Sequence, residues 1–338
     1  MAIKVVVVGL GRRGHDWVRE LRTSSAFELV ACVDVDRAAL DRVSALDVSR
    51  AKCFTDFNQA IEKTSPQAVI IATPPGDHVQ LCETALSRPL AVMVEKPFTL
   101  RLPEAVKLVS LAEQQQAPIL VAHNYRYLRS FRAAKQLIDE RRLGRIGMVV
   151  SHYYRPPHGM AESLARLENS VLWGISIHHL DALRFVLTKR VTNVIAESFS
   201  LPTAALPPGA SFRALLSFED GTRATYSATY ESSGHQFFER GQEFYARFAG
   251  DRATLHVFHR WLILCENGKL PRLVRRGLRQ RTEEQILLQQ FQRAIVTGEP
   301  AEVSGKDNLQ TMAVVEACLR SAAEKTWTNP QNLLSELQ

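Results

Sequence analysis

The stretch Ile3-Lys4-Val5-Val6-Val7-Val8-Gly9-Leu10-Gly11-Arg12-Arg13-Gly14 decides the fold. Its apolar, β-branched first half predicts a buried strand, and the glycines follow at the G-x-G-x-x-G spacing before a predicted helix from His15 to Thr23. Gly9 permits a sharp turn, Gly11 lets backbone N–H groups approach a pyrophosphate, and Gly14 allows the helix to pack on the strand. The pattern therefore predicts a dinucleotide-binding turn at the helix N-terminus.

A second apolar run, Phe27–Val33, ends at Asp34, 20 residues after the last glycine. An acidic side chain at about this distance binds the adenosine ribose hydroxyls of NAD and repels the 2′-phosphate of NADP. The alternative is that Asp34 caps the helix predicted from Arg37. We expect NAD, with NADP as the alternative because Arg12, Arg13 and Arg37 lie close enough in sequence to bind a phosphate.

The composition indicates a soluble globular protein, with 46% hydrophobic and 23% charged residues. At 338 residues the chain is long enough for two domains. The apolar runs are too short to span a membrane and the start carries no signal-peptide pattern, so we expect a cytoplasmic protein. Five scattered cysteines without a C-x-x-C spacing predict neither a disulfide framework nor a metal site.

The net charge of +7 is compatible with nucleic-acid binding. No helix-turn-helix, zinc-finger or RNA-recognition pattern supports that hypothesis, so we predict no nucleic-acid partner and a solvated or subunit-facing basic loop. Attraction of acidic or phosphorylated substrates is the other alternative. Much of the positive excess lies in the basic patch Arg272, Arg275, Arg276, Arg279 and Arg281.

The first 122 residues alternate strand and helix signals, which predicts a parallel, doubly wound Rossmann sheet with helices on both faces. We assign residues 1–122 to this α/β domain. The predicted strands are Ile3–Val8, Phe27–Val33, Lys52–Phe54, Ala68–Ala72, Ala91–Val94 and Ile119–Val121, and the helices between them include Arg37–Asp47, His78–Leu86 and Leu102–Gln116.

From residue 123 onward the pattern predicts a second α/β domain, residues 123–338, with a large open and mostly antiparallel sheet. Glu219–Thr222 predicts a hairpin turn in that sheet. The predicted elements are a helix Ser130–Arg142, the strands Ile146–Tyr154, Val191–Ser198, Phe212–Phe218, Arg223–Tyr230 and Phe244–Phe248, and the helices Glu283–Thr297 and Asp307–Lys325 before a short tail.

Ligands of doubly wound sheets bind beyond the carboxyl ends of the strands. Thr73-Pro74-Pro75-Gly76-Asp77-His78 follows the fourth predicted strand, and its prolines predict a stiff turn that presents backbone groups. Glu95-Lys96-Pro97 follows the fifth. We expect this charged pair to face the ligand, and a purely structural ion pair is the alternative.

These motifs resemble those of the Gfo/Idh/MocA oxidoreductases, a family named for glucose–fructose oxidoreductase and inositol dehydrogenase. The resemblance spans nearly the whole chain. Besides the glycine turn it rests on Ala72-Thr73-Pro74 with His78, Glu95-Lys96-Pro97, Asn124-Tyr125-Arg126, His178-His179-Leu180-Asp181, and Val303–Asp307 leading into Glu316-Ala317.

The resemblance implies hydride transfer between a nicotinamide cofactor and a carbinol carbon of a sugar-like or cyclitol substrate. It also implies that the second domain forms the substrate floor and that its open sheet joins subunits into a homodimer or homotetramer. The cofactor-binding residues implied by the resemblance and by the glycine turn are Gly9, Leu10, Gly11, Arg12, Arg13, Gly14, Asp34, Arg37, Thr73, Pro74, His78, Glu95, Lys96 and Asn124.

The same resemblance assigns catalysis to Lys96, which contacts the substrate oxygen, and to His178, which moves the hydroxyl proton. The chemistry needs both groups, because a base that titrates near neutrality suits the proton and a fixed cation stabilises the alkoxide. Asp181 lies three residues after His178, on the same helical flank, where it is placed to orient the imidazole. Without Lys96 we would interpret His178 as an ordinary helix residue, and we expect His179 to pack.

Gly174 is a departure from the family pattern, which has an aspartate four residues before the histidine. Either Lys96 and His178 suffice for turnover, or another carboxylate, Glu168 or Asp181, substitutes. The remaining alternative is a catalytically silent cofactor- or metabolite-binding protein on the same scaffold.

The remaining candidates for substrate contact lie in the second domain. Trp173 next to Gly174 predicts an apolar wall, and Arg126 is expected to bind hydroxyls or carboxylates. Tyr153 falls on an alternating strand, where packing is an equal alternative.

Overall fold

A computed structural model describes residues 1–157, 166–201, 206–233, 242–259, 261–274 and 281–337. The helices are α1 Arg12–Arg22, α2 Arg37–Val43, α3 Phe57–Thr64, α4 His78–Leu86, α5 Leu102–Gln114, α6 Arg129–Asp139, α7 Ile177–Leu187, α8 Glu283–Thr297, α9 Gly305–Glu324 and α10 Pro330–Ser335. The strands are β1 Ile3–Val8, β2 Phe27–Val33, β3 Cys53–Phe54, β4 Ala68–Ile71, β5 Ala91–Val94, β6 Ile119–Val121, β7 Ile146–Tyr154, β8 Val191–Phe199, β9 Ser211–Phe218, β10 Arg223–Thr229, β11 Glu243–Gly250, β12 Ala253–Phe258, β13 Leu262–Glu266 and β14 Arg272–Leu273.

The chain divides into two compact units. The first comprises residues 1–123 and 281–309, and the second comprises residues 124–280 and 310–338. The sequence assigned everything after residue 122 to the second domain, so the structure differs in the segment 281–309. That segment belongs to the first unit because Gln285 donates to Glu20 on α1 at 2.9 Å and Phe291 stacks on Phe27 of β2 at 5.9 Å.

The first unit contains a parallel sheet in the order β3-β2-β1-β4-β5-β6. This is the strand order of a Rossmann fold, which confirms the predicted fold class. The apolar runs of β4 and β5 are buried at every position, as expected of strands covered on both faces. Helix α1 buries Trp17, Val18 and Leu21, so its apolar stripe faces the core.

The second unit contains the predicted open sheet, in the order β14-β13-β12-β11-β7-β10-β9-β8. Its neighbours pair antiparallel, except that β10 runs parallel to β7. The hairpin predicted at Glu219–Thr222 joins β9 to β10, and Gly221 takes a φ of +91° there.

The structure corrects several predicted element bounds. Lys52 lies in a 3-10 turn, Arg50–Lys52, in which the Ser49 side chain accepts from the backbone N–H of Ala51, so β3 begins one residue later. The sequence did not predict β12, β13 and β14. The predicted tail contains α10, because Asn329 caps the backbone N–H of Gln331 and Pro330 suits a first helical turn.

Within the described residues, no helix combines the length and the apolar character that crossing a membrane requires. Two members of the predicted basic patch have polar neighbours: Arg272 lies 3.4 Å from Glu266, and Arg281 donates to Gln289. Arg275, Arg276 and Arg279 lie outside the described residues.

Candidate active site

Two glycines of the turn after β1 are packed too closely against backbone atoms to be replaced by any other residue. A Cβ on Gly9, where φ is +87°, would lie 2.6 Å from the backbone N of Thr73, and a Cβ on Gly14 would lie 1.9 Å from the Gly9 carbonyl oxygen. Gly11 differs, because nothing lies within 4 Å of the position of its Cβ. The space beside Gly11 is therefore open to a ligand group that lies against the backbone.

The N-terminus of α1 begins at this same turn. Its first turn contains Arg12 and Arg13 and no acidic residue. A helix N-terminus offers backbone N–H donors and a partial positive charge. Together with the space beside Gly11, these donors fit the pyrophosphate of a dinucleotide.

Asp34 follows β2 and is held by the glycine turn. Its Oδ2 accepts from the backbone N–H of Leu10 at 2.7 Å, and its Oδ1 accepts from the N–H of Asp36 at 2.9 Å. Asp36 rather than Asp34 caps α2, because its side chain accepts from the N–H of Ala38. The capping role that was the alternative for Asp34 therefore belongs to Asp36. Arg37 is exposed.

His78 links the two turns that follow β4 and β5. Its Nδ1 lies 2.8 Å from the Pro97 carbonyl oxygen, and its Nε2 lies 3.0 Å from that of Thr73. Burial lowers its pKa, against the opposing effect of these carbonyl partners. The ring thus fastens the Thr73-Pro74 turn to the Glu95-Lys96-Pro97 segment.

Glu95 is buried, and a cation and an indole hold its carboxylate. Its Oε1 accepts from Arg13 Nε at 2.8 Å and from Trp17 Nε1 at 2.9 Å. Arg13 also pairs with Asp16 at 3.2 Å and with Glu284 on α8 at 3.0 Å. The sequence missed this network, because Trp17 gave no signal beyond core packing and Glu284 lies far away in the chain.

Lys96 follows Glu95 at the carboxyl end of β5 and is half-buried. Burial, opposed by the charge of Glu95 and helped by the positive charges of Arg13 and Arg12, lowers the pKa of Lys96 to about 8. An ammonium group with this pKa is still protonated at neutral pH. It releases its proton more readily than an exposed lysine.

His178 lies in the second unit, in the first turn of α7. The preceding segment Leu172–Ser176 is π-helical and includes Trp173 and Gly174, both of them buried. His178 is 6% exposed, and its imidazole stacks on Tyr125 with the ring centroids 4.2 Å apart and the planes at 19°. A single π-helical turn is often found at functional sites.

Arg126 and Asp181 form a buried, two-pronged ion pair in this unit. Arg126 Nε donates to Asp181 Oδ2 at 2.7 Å, and Nη2 donates to Oδ1 at 2.6 Å. Thr311 donates to the same Oδ1 at 2.8 Å. The structure thus joins two predicted substrate-site residues to each other, and their contact with substrate stays a prediction.

His179 packs in a ring cluster, as predicted. Its Nδ1 lies 2.8 Å from the Tyr226 hydroxyl, and its ring stacks on Phe244 at 4.8 Å. Burial lowers the pKa of His179 to about 3, so the ring is neutral at physiological pH. Tyr153 belongs to the same cluster, 5.3 Å from His179, and is buried. Asn124 begins the 3-10 turn Asn124–Tyr127 and is half-buried.

Comparison with known families identifies both units. Residues 3–123 match a family model described as an oxidoreductase family with an NAD-binding Rossmann fold, and residues 131–268 match the GFO/IDH/MocA C-terminal domain. The chain belongs to the Gfo/Idh/MocA oxidoreductase family. Its first unit is accordingly an NAD-binding Rossmann domain, as the glycine turn predicted.

Relatives of this Gfo/Idh/MocA protein include an inositol 2-dehydrogenase and a D-apiose dehydrogenase. It is 24% identical to D-apiose dehydrogenase of Paraburkholderia graminis, over 98% of this chain and 91% of that protein. It is 28% identical to inositol 2-dehydrogenase 1 of Paenarthrobacter aurescens, over 61% of this chain and 60% of that protein.

Solved structures share the fold over nearly the entire chain. An oxidoreductase from Agrobacterium radiobacter in complex with NAD+, L-tartaric acid and magnesium has a TM-score of 0.88 at 20% identity, covering 98% of this chain and 100% of that one. An inositol dehydrogenase homologue from Azotobacter vinelandii, complexed with NADH and myo-inositol, has a TM-score of 0.83 at 21% identity, covering 97% and 98%.

Proposed function

We propose that the protein is an NAD-dependent dehydrogenase that interconverts a secondary alcohol and its carbonyl on a sugar-like or cyclitol substrate. The observation that carries the proposal is Lys96, a half-buried cation whose pKa is lowered to about 8 at the carboxyl end of β5. Family membership supports the reaction class. The inositol and D-apiose dehydrogenases among the relatives support the substrate class.

NAD is the cofactor that the first unit fits best. The open space beside Gly11 suits its pyrophosphate, and the carboxylate of Asp34 suits its ribose hydroxyls. When bound, NAD supplies the nicotinamide that accepts or returns the hydride. Calorimetric titration checks the choice: we expect NADPH to bind at least about tenfold more weakly than NADH, and the reverse preference would assign the phosphate to Arg12 or Arg37.

Lys96 is proposed to hold its ammonium against the reacting substrate oxygen. As the carbon loses its hydride, negative charge develops on that oxygen, and a fixed cation stabilises it. The network around Glu95 supports this role, because Arg13 and Trp17 hold the Glu95 carboxylate and so fix the chain next to Lys96.

His178 is proposed to accept the hydroxyl proton during oxidation and to return it during reduction. Its buried ring is held in a stack, which suits a base that has to meet one proton in one direction. We assign Arg126 and Asp181 a structural role near His178, because their charged groups form an ion pair with each other.

A catalytically silent binding protein is the second candidate, and Gly174 favours it. This residue stands where the family pattern has an aspartate, and it is buried in the π-helical segment. A protein that binds NADH and shows no turnover with any substrate would fit this alternative.

The deciding experiment is a screen of cyclitols, sugars and sugar acids with NAD, followed by the absorbance of NADH. We expect turnover of at least one compound by the wild type and turnover lower by about 10³-fold or more by Lys96→Met. Tight NADH binding without turnover across the screen would replace the dehydrogenase with the silent scaffold.

We also propose that the open sheet joins copies of this chain into a dimer or tetramer. Register places Leu215, Thr225 and Val150 side by side on β9, β10 and β7, and Leu215 and Val150 are 47% and 36% exposed. Their neighbours Leu216, Ala224 and Val149 form the buried face. Light scattering should show an oligomer that Leu215→Lys with Val150→Lys converts to monomer; a monomeric wild type would contradict this assembly.

A further inference from the structure

The ring of Tyr125 stacks on the imidazole of His178. Its ring lies nearly parallel to the imidazole, with the centroids 4.2 Å apart and the planes at 19°. Rotation of a histidine ring about its last torsion is otherwise broad, so a flat neighbour restricts which way its nitrogens point. A base works only within hydrogen-bond reach of the proton that it takes. The stack is therefore placed to set the direction in which the imidazole nitrogens of His178 point, and proton transfer depends on that direction.

The element that carries Tyr125 is tied to α7 by a second link. Tyr125 lies in the turn Asn124–Tyr127, and the next residue, Arg126, forms the two-pronged pair with Asp181. Asp181 lies on α7 one helical turn after His178. The ring stack and the ion pair thus join the same two elements at adjacent positions.

The ion pair is itself held in one geometry. Arg126 is 4% exposed and Asp181 is fully buried. Thr311 donates to Asp181 and accepts from Arg184 Nη1 at 2.7 Å. The paired planes of a guanidinium and a carboxylate fix direction as well as distance. The turn that carries Tyr125 therefore has a defined position against α7.

From this geometry we propose that Tyr125 is a positioning residue for the imidazole of His178, and that the Arg126–Asp181 pair holds Tyr125 in place. The inference rests on the proposed function, because it gives the orientation of His178 a purpose. It also gives a reason for the buried ion pair near His178, the candidate base.

The test compares Tyr125→Leu, which removes the ring, with Tyr125→Phe, which keeps it. We expect Tyr125→Leu to move the imidazole proton signals of His178 in the NMR spectrum and to lower kcat about 10- to 100-fold with little change in KM. Tyr125→Phe, which keeps the ring, should leave the His178 signals and kcat close to those of the wild type. His178→Gln identifies the His178 signals by their loss.

Tyr154→Leu is the matched control, because Tyr154 stacks on another histidine, His152, at 4.9 Å and 16°. It should move the His152 signals and leave kcat unchanged. The double variant Arg126→Met with Asp181→Leu removes both charges of the pair, although Arg184 loses its 3.9 Å contact with Asp181, and it should displace the His178 signals in the same direction as Tyr125→Leu.

A kcat of Tyr125→Leu no lower than that of Tyr154→Leu would overturn the inference. The activity of His178→Gln separates this failure from that of the proposed function. Full turnover by His178→Gln contradicts the proposed function itself. Loss of turnover there, with normal turnover in Tyr125→Leu, contradicts only the positioning role.

Discussion

Charged side chains act on Lys96, whereas an aromatic ring stacks on His178. Next to Lys96, the carboxylate of Glu95 accepts from Arg13, which pairs in turn with Asp16 and Glu284. Next to His178 lies the ring of Tyr125, and the charges nearby in sequence, Arg126 and Asp181, are joined to each other.

This difference matches the two tasks that we propose. A group that stabilises developing charge has to keep its own charge, and the pKa of Lys96 is set first by burial and then adjusted by its ionic neighbours. A group that takes a proton in one direction has to keep its orientation, so flat neighbours set its geometry. The Lys96 region should therefore respond to changes of charge and pH, and the His178 region to changes of shape.

The largest expected effect follows removal of the Lys96 charge. Lys96→Met should lower kcat/KM by about 10³-fold or more. The same variant should be more stable than the wild type by up to about 3 kcal/mol at pH 7, because the pKa of Lys96 falls from 10.5 to about 8 on folding.

Enzyme kinetics and urea unfolding of the same samples test both expectations. Lys107→Met, which removes an exposed lysine that pairs with Glu83 on the surface, is the control and should change neither quantity. Full activity of Lys96→Met would remove Lys96 from the mechanism.

The second-largest expected effect is a loss of stability when the ion pair of the His178 region is broken. Asp181→Ala leaves the buried guanidinium of Arg126 without its carboxylate and should cost about 3–5 kcal/mol of the free energy of unfolding. The double variant Arg126→Met with Asp181→Leu should be more stable than Asp181→Ala, because it removes both charges of the pair, although Arg184 loses its 3.9 Å contact with Asp181. Asp139→Ala, which breaks the surface pair with Lys135, should cost under about 1 kcal/mol. A loss for Asp181→Ala no larger than that would contradict the account of a buried pair.

The smallest effect is a shift of the pH profile. Because Lys96 has a pKa of about 8 and acts as a cation, kcat/KM should fall as pH rises above about 8. Arg13 lowers the pKa of Lys96, so Arg13→Met should move this fall to higher pH. Arg19→Met, on the same helix and exposed, should leave the profile unchanged. A fall at the same pH in Arg13→Met would show that the ionic neighbours do not tune Lys96.

Much of the fold could be predicted from the sequence, because its signals are local. The buried apolar runs β1, β2, β5 and β6 have the bounds that periodicity predicts. Strands β12 to β14 were not predicted, although Asn267-Gly268, a hairpin signal, lies between β13 and β14. The grouping of residues 281–309 with the first unit depends on contacts such as Phe27 with Phe291, which no local pattern contains.

The sequence could predict which residues belong to the candidate site, but it could not predict which side chains they pair with. Sequence motifs singled out Glu95, Lys96, Arg126, His178 and Asp181. They did not indicate that Glu95 pairs with Arg13 or that Arg126 pairs with Asp181, because each pair joins positions far apart in the chain. Such pairings decide whether a charge is available to substrate, and only the fold brings them together.

The central claim is that Lys96 and His178, in their different surroundings, serve one reaction. A double-mutant cycle in kcat, with Lys96→Met, His178→Gln and their combination, tests it most directly. Groups that act in the same step are not additive, so the double variant should lose about as much rate as the more damaging single variant. Losses that multiply would show that the two residues act independently, and the account of one shared reaction would be contradicted.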